Sequence, residues 1–273
     1  MSLMAATRSE SVKVFSTATW WILALVLVVY VGSTAAGMGF ILAASATGGL
    51  PGGDTAPQVP PEGLPTLLYS LGASFGYVFP LLVGTLMITG EFRHQTLTPT
   101  FLAVPRRGLV LWAKLAVGGL IGLMFGALAV VSTVGPAAAF LAGFGLDTGL
   151  DSPDTWALIG RTLIAFALWA MVGIGVGTLV RNQVVAIVIV LAFTQFVEPL
   201  LRLAAGFVDG LEAAGQYLPG AASDALVGAS IYSVMGGAGG AQLEWWGGGL
   251  VLLGYALVLL LIGHIVSWSR DVT

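Results

Sequence analysis

The chain has 273 residues, of which 57% are hydrophobic and only 8% charged, and its formal net charge is −3. A soluble domain carries roughly 25% charged residues, so this composition indicates an integral membrane protein. The absence of cysteine excludes disulfides, thiolate zinc sites and thiol catalysis, and two distant histidines give no basis for a metal site.

Six apolar runs are each long enough for a helix to cross roughly 30 Å of hydrocarbon. The predicted spans are residues 20–44, 66–89, 115–144, 156–180, 184–203 and 247–268. Residues 1–19 are polar and mildly amphipathic, which predicts an interfacial helix before the first span. Residues 204–246 are rich in glycine, and their apolar patches are too short to span, so an outer loop with short helices is predicted. The whole chain, 1–273, is therefore expected to be one all-α transmembrane domain.

The charges predict how the spans are oriented. Lys and Arg near helix ends resist translocation, so loops that carry them face the cytoplasm. With both termini inside, eight of the ten basic residues lie on the cytoplasmic side and ten of the thirteen acidic residues lie on the outer side. The prediction is six spans with both the N-terminus and the C-terminus in the cytoplasm.

Residues 90–114 form the one crowded polar stretch between apolar runs. Its charged or titratable residues are Glu91, Arg93, His94, Arg106, Arg107 and Lys114. Pro99 and Pro105 interrupt the stretch and leave a short segment, 100–104, in which Phe101, Leu102 and Val104 need burial. This pattern predicts a short docking helix on the cytoplasmic face. The alternative is an ordinary basic loop whose charges only set the topology.

Two opposite charges lie within the fifth predicted span. Glu198 and Arg202 are four residues apart with the acid first, the favourable order for a helical ion pair, and Pro199 is expected to weaken or kink the helix. An ionisable group inside a membrane is a functional candidate. The alternative is a pair that only neutralises itself near the outer interface.

Glycines recur at helical spacing, as in Gly72/Gly76, Gly118/Gly122/Gly126 and Gly173/Gly177. Such spacing permits close helix packing, and we expect packing within the chain rather than a dimer face.

Enzymatic signatures are missing from the sequence. There is no G-x-x-x-x-G-K-[ST] loop for ATP, no Ser/His/Asp set, no paired carboxylates and no HExxH motif. The chain is therefore not expected to be an enzyme by itself or to bind a cofactor, and no nucleic-acid partner is expected.

Several short stretches together resemble one family. Residues 8–13 with Trp20-Trp21 resemble the R-S-E-x-x-K…W-W opening of many bacterial ABC-2 type transporter permeases. Residues 91–96, 105–107 and 113–115 resemble that family's E-[FY]-R-x-x-T…P-R-R…A-K-L loop, although Gln95 stands where the family more often has glycine.

Two further stretches extend the resemblance along the chain. Residues 173–187 resemble the family's G-x-G…R-N…A-I junction between the fourth and fifth spans, and residues 217–219 resemble the L-P of its last outer loop. The order and spacing of these motifs are more specific than any one of them.

The resemblance implies a permease subunit of an ATP-driven exporter in a bacterial cell membrane. Two such chains, expected to be identical, would pair in the bilayer, and two copies of a separate ABC-type ATPase would bind ATP and Mg²⁺. The second and fifth spans would line the pathway, and the 90–114 loop would be the coupling helix. Its candidate coupling residues are Glu91, Arg93, Thr96, Phe101, Leu102, Arg106 and Arg107.

Two other classes remain open from the residues. A secondary transporter needs ionisable groups near the midplane or broken helices, for which Glu198-Pro199 is the one candidate. A membrane anchor or scaffold subunit without transport would leave the basic loop unexplained.

Overall fold

The computed structural model describes residues 2–48, 61–103, 106–207, 212–230 and 243–268. Most of the segment between the first two predicted spans, part of the outer segment 204–246 and the chain after residue 268 lie outside the described residues. Within the described ranges the secondary structure is helical, without a β-strand.

The helices follow the apolar runs in order. They are α1 Leu3–Phe15, α2 Thr19–Ala46, α3 Leu64–Gly76, α4 Val78–Arg93, α5 Leu97–Ala103, α6 Arg107–Gly143, α7 Pro153–Leu179, α8 Gln183–Ala192, α9 Glu198–Phe207, α10 Glu212–Gly215, α11 Pro219–Val227 and α12 Trp245–Gly263. A 3₁₀ turn, Pro61–Gly63, precedes α3, and π turns at Phe193–Val197 and His264–Trp268 follow α8 and α12.

Six helical segments of the described chain are long and apolar enough to cross a membrane. They are Thr19–Ala46, Pro61–Arg93, Gly108–Gly143, Pro153–Leu179, Gln183–Ala205 and Trp245–Val266. They correspond to the six predicted spans, with boundaries that differ by a few residues except in the third. That helix begins at Arg107 rather than 115, so the residues from 107 to 114, which were predicted as loop, form its first two turns.

The two most buried spans form the centre of the bundle. α4 packs on α7, α6 packs on both, and α2 and α12 pack on the outside. The α4–α7 contact is a close backbone approach: a Cβ on Gly84 would lie 2.1 Å from the carbonyl oxygen of Ala170, and one on Gly173 would lie 2.1 Å from that of Leu81. Glycine is needed at both positions because any side chain would collide with backbone.

The predicted glycine spacings serve this packing within the chain. A Cβ on Gly122 would lie 2.6 Å from the carbonyl oxygen of Phe166, and one on Gly177 would lie 2.8 Å from that of Thr85. The expectation of intrachain packing is therefore confirmed at these positions.

The second span is interrupted at Tyr77, between α3 and α4. Pro80 has no N–H to donate to the carbonyl of Gly76, so the helical ladder is broken at this turn. The indole of Trp169 stacks on the Tyr77 ring with centroids 4.5 Å apart, which fixes the break against α7.

The short helix α5 lies between α4 and α6, at the end of the bundle where α1 also lies; we call this the α5 end. It begins at Leu97, so Pro99 lies in its first turn instead of preceding the helix. Proline is tolerated there because the first-turn N–H groups have no partner within a helix.

Candidate functional site

Four charged side chains from three helices meet at the α5 end. They are Glu10 and Lys13 of α1, Glu91 of α4 and Lys114 of α6, and we call them the Glu–Lys cluster. Lys13 Nζ lies 2.7 Å from Glu10 Oε1 and 2.8 Å from Glu91 Oε1. Lys114 Nζ also contacts both acids, donating to Glu10 Oε2 and lying 2.9 Å from Glu91 Oε1. Each lysine therefore bridges the two carboxylates.

The cluster is largely removed from solvent. The exposed fraction is 4% for Glu10, 7% for Glu91 and 1% for Lys114, whereas the Lys13 side chain keeps 36%. Burial by itself disfavours the charge on Lys13, but hydrogen bonds to Glu10 and Glu91 and their charges outweigh it and raise the pKa of Lys13. Two acids and two bases compensate one another, which is what allows such burial.

The geometry follows from helix spacing. Glu10 and Lys13 are three residues apart and so share one face of α1, and Ala6, one turn earlier on that face, lets α1 pack closely on α6. The opposite side of α1 exposes apolar Met4, Val12 and Phe15. This helix thus buries charge against the bundle and exposes hydrocarbon, which suits a position at a membrane interface.

The short helix α5 is attached to the same cluster. Lys13 Nζ donates to Thr100 Oγ1 at 3.2 Å, and the Thr96 N–H donates to the carbonyl of Glu91 at 3.0 Å. Thr100 also returns a hydrogen bond from its hydroxyl to the carbonyl of Thr96. Four helices, α1, α4, α5 and α6, are therefore joined through one set of polar contacts.

The other predicted coupling residues lie outside the cluster. Arg93 Nη1 donates to Gln183 Oε1 at 3.3 Å, linking the end of α4 to the start of α8. Phe101 is half-buried against an apolar group that includes Ile88 and Leu97, whereas Leu102 is 79% exposed. The structure thus separates two of the apolar residues that the sequence grouped together, and the third, Val104, lies outside the described residues.

Arg106 is exposed just before α6, and Arg107 is the first residue of that helix. The docking role predicted for these residues stays a prediction.

A second buried charged group lies toward the other end of the fifth span. Arg202 Nη2 lies 3.1 Å from Glu198 Oε1, the pair that the spacing predicts, and Arg202 Nη1 lies 2.7 Å from Asp224 Oδ2. Glu198 Oε1 also accepts hydrogen bonds from the N–H groups of Gly220 and Ala221, at the start of α11. The carboxylate is therefore held by the N-terminus of α11 as well as by Arg202.

Asp224 is the member of this second group that the sequence did not reveal. It also accepts a hydrogen bond from Ser230 Oγ at 2.6 Å. Burial raises the pKa of Asp224, and the neighbouring Arg202 and the Ser230 hydroxyl only partly oppose that effect. Its position in a glycine-rich segment predicted as an outer loop gave no signal of a buried charge.

Arg161 does not join either group. Its guanidinium lies 4.9 Å from the ring centroid of Trp245, and it makes no ion pair within the described ranges. Among all the residues that the structure describes, no cluster of three or more His, Cys, Asp or Glu is arranged to hold a metal ion.

No protein-family model matches the sequence, and no curated protein matches it.

Proposed function

We propose that this chain is the permease subunit of an ATP-driven exporter of the ABC-2 type, in a bacterial cell membrane. It would pair with a second permease chain and bind a separate ABC-type ATPase, one copy per permease, at the α5 end. ATP and Mg²⁺ would be bound by the ATPase and not by this chain.

The observation that carries the proposal is the convergence of distant motifs on the Glu–Lys cluster. The stretches that resemble the family supply its members from three places in the chain: Glu10 and Lys13, Glu91, and Lys114. Their meeting point also holds α5 through Thr100. Because α5 is joined through these polar contacts to three longer helices, it is suited to transmit a displacement caused by a bound partner to the rest of the bundle.

The exposed surface of α5 supports a docking role. Leu102 is 79% exposed at the end of the bundle, although apolar burial normally stabilises such a side chain. Interface energy concentrates in a few apolar or aromatic anchors, so Leu102 is the first candidate for contact with the ATPase.

The test is co-purification of a nucleotide-binding subunit from cells that express the full tagged chain from its own gene neighbourhood. A bound ATPase should be identified by mass spectrometry through its phosphate-binding loop, and the complex should hydrolyse ATP. Leu102→Ala should weaken the complex by about 1–2 kcal/mol, roughly tenfold in affinity.

The matched control is Leu120→Ala, since Leu120 is 63% exposed on α6 and lies two turns beyond Lys114. This variant should retain the ATPase. Purification of a folded chain without any ATPase, from cells in which its neighbouring genes are intact, would contradict the proposal.

A secondary transporter is the second candidate, and one observation favours it. The π turn Phe193–Val197 makes the fifth span depart from regular α-helical geometry directly before the buried Glu198, and irregular helix segments at the binding site are typical of ion-coupled transporters. Substrate transport by the purified chain in proteoliposomes, driven by a proton or sodium gradient without ATP, would support this candidate instead.

A further inference from the structure

A pocket of about 380 Å³ lies beside the Glu–Lys cluster at the α5 end. Its walls come from α1, the first residues of α2, the second half of α4 and the start of α8. This volume is within the range of about 300–1,000 Å³ that small-molecule sites occupy.

The pocket is lined by both apolar and polar residues. Trp20, Leu86 and Met87 are among the apolar residues, and Glu10, Lys13 and Glu91 are its charged residues. A ligand that fits this lining has an apolar chain and a polar head. The start of α2 carries Trp20-Trp21, with Trp21 49% exposed, and tryptophan is typical of the membrane interface. The bilayer is therefore the natural source of such an amphiphile.

The charges of the cluster select the kind of head group. Its two carboxylates and two ammonium groups already compensate one another. A cationic head would lie beside Lys13, and an anionic head would lie beside Glu10 and Glu91, so either would add an uncompensated charge to a partly buried site.

The unsatisfied carboxylate oxygen of Glu91 favours a head group that donates a hydrogen bond. Oε2 of Glu91 is buried and has no hydrogen-bond partner within the described residues, although Glu91 lines the pocket. A buried carboxylate oxygen without a donor is unfavourable, and a hydroxyl supplies a donor without adding charge.

We propose that this pocket binds a neutral, hydroxyl-bearing amphiphile with a single acyl chain, taken from the bilayer. The hydroxyl head donates to Glu91, and the acyl chain lies along Trp20, Leu86 and Met87. This inference concerns a lipid site within one chain and does not depend on the proposed ATPase partner.

The probe for the test is a 1-monoacylglycerol with a dibrominated chain, added to the full chain in detergent micelles. Bromine quenches tryptophan fluorescence at short range, so binding should give saturable quenching that includes Trp20. The chain has eight tryptophans, and Trp20→Phe identifies the part of the quenching that comes from the pocket.

Gly90 provides a way to fill the pocket. It lines the cavity, and a Cβ added there would meet no heavy atom within 4 Å. Gly90→Leu should weaken the Trp20-dependent binding by at least about tenfold. Gly135→Leu is the matched control, because a Cβ at Gly135 also meets nothing within 4 Å. It should leave the binding unchanged.

Head-group competitors decide the chemistry in the unmodified chain, whether or not the variants fold. The fatty-acid methyl ester of equal chain length has no hydroxyl and should compete about tenfold less well than the monoacylglycerol. Equal competition by the ester, or stronger competition by the alkylamine or the fatty acid, would overturn the proposed head group. Quenching that does not saturate, or that Gly90→Leu and Gly135→Leu reduce equally, would overturn the site.

Discussion

Lys114 Nζ lies 2.9 Å from Glu91 Oε1, and the lysine that makes this contact is 1% exposed although it is a charged residue near the end of a membrane-spanning helix. The two residues are 23 positions apart and belong to helices that α5 connects. Their contact therefore closes the α4–α5–α6 segment into a loop whose ends are held by opposite charges.

The first prediction is that the two lysines of the cluster differ in their importance for stability. Lys114→Met leaves two buried carboxylates with a single, half-exposed partner, so it should lower the free energy of unfolding by about 3–5 kcal/mol. Lys13→Met should cost about 1 kcal/mol because the Lys13 side chain is 36% exposed and its ion pairs are screened by solvent. Denaturant unfolding in mixed micelles measures both. Equal costs would mean that burial does not determine the strength of these contacts.

The second prediction concerns alkaline pH. The folded-state pKa of Lys13 is raised above the ordinary value of 10.5. Since the folded-state pKa exceeds the unfolded value, the contribution of Lys13 to stability is fully present below pH 10.5 and is lost as the pH rises through the folded-state pKa. The difference in unfolding free energy between wild type and Lys13→Met should therefore be constant from about pH 7 to 9 and shrink above pH 10.5. A difference that shrinks between pH 7 and 9 would contradict the assignment.

The third prediction uses the second charged group. Arg202 neutralises both Glu198 and Asp224, so Arg202→Gln should destabilise the chain more than Glu198→Gln does. Asp224→Asn added to Arg202→Gln should recover part of the loss, because one fewer buried carboxylate remains unpaired. Thermal unfolding of these three variants and of Asp224→Asn alone tests this order.

The control for the third prediction is Asp151→Asn, which changes an exposed acid and should alter stability by less than about 0.5 kcal/mol. Additive effects of Arg202→Gln and Asp224→Asn would show that these residues do not interact.

The fourth prediction is the orientation in the membrane. A reporter inserted within residues 95–105 or fused after Asp271 should be cytoplasmic, and one within residues 50–62 should be external. The split of basic residues between the two sides is the physical reason. An external reporter after Asp271 would exclude six spans with both termini inside.

The sequence was sufficient for the helical spans because hydropathy and length dominate the folding of an apolar chain. It was not sufficient for the start of α6. Arg107 and Lys114 look like loop residues by hydropathy, and only the opposing carboxylates of Glu10 and Glu91 make a buried lysine tolerable.

Contacts between residues that are far apart in the sequence were the other feature that the sequence could not predict. Helical spacing predicted the contact between Glu198 and Arg202, which lies within one helix. The contact of Arg202 with Asp224 joins residues 22 positions apart, across residues that give no periodic signal. Likewise, the alternation of Glu10 and Lys13 with apolar neighbours is equally compatible with a helix at the membrane surface and with one that buries its charges.

The π turn in the fifth span contains one residue more than an α-helical turn would. The N–H of Glu198 donates to the carbonyl of Phe193, five residues back, and the Tyr77 hydroxyl donates to the carbonyl of Thr194 at 3.3 Å. Tightening this turn to α-helical geometry would rotate every later residue by about 100° around the helix axis. Glu198 would then turn away from the N-terminus of α11. Conversion of this one π turn, which the Tyr77 hydroxyl contacts, would therefore be enough to detach α11 from the fifth span.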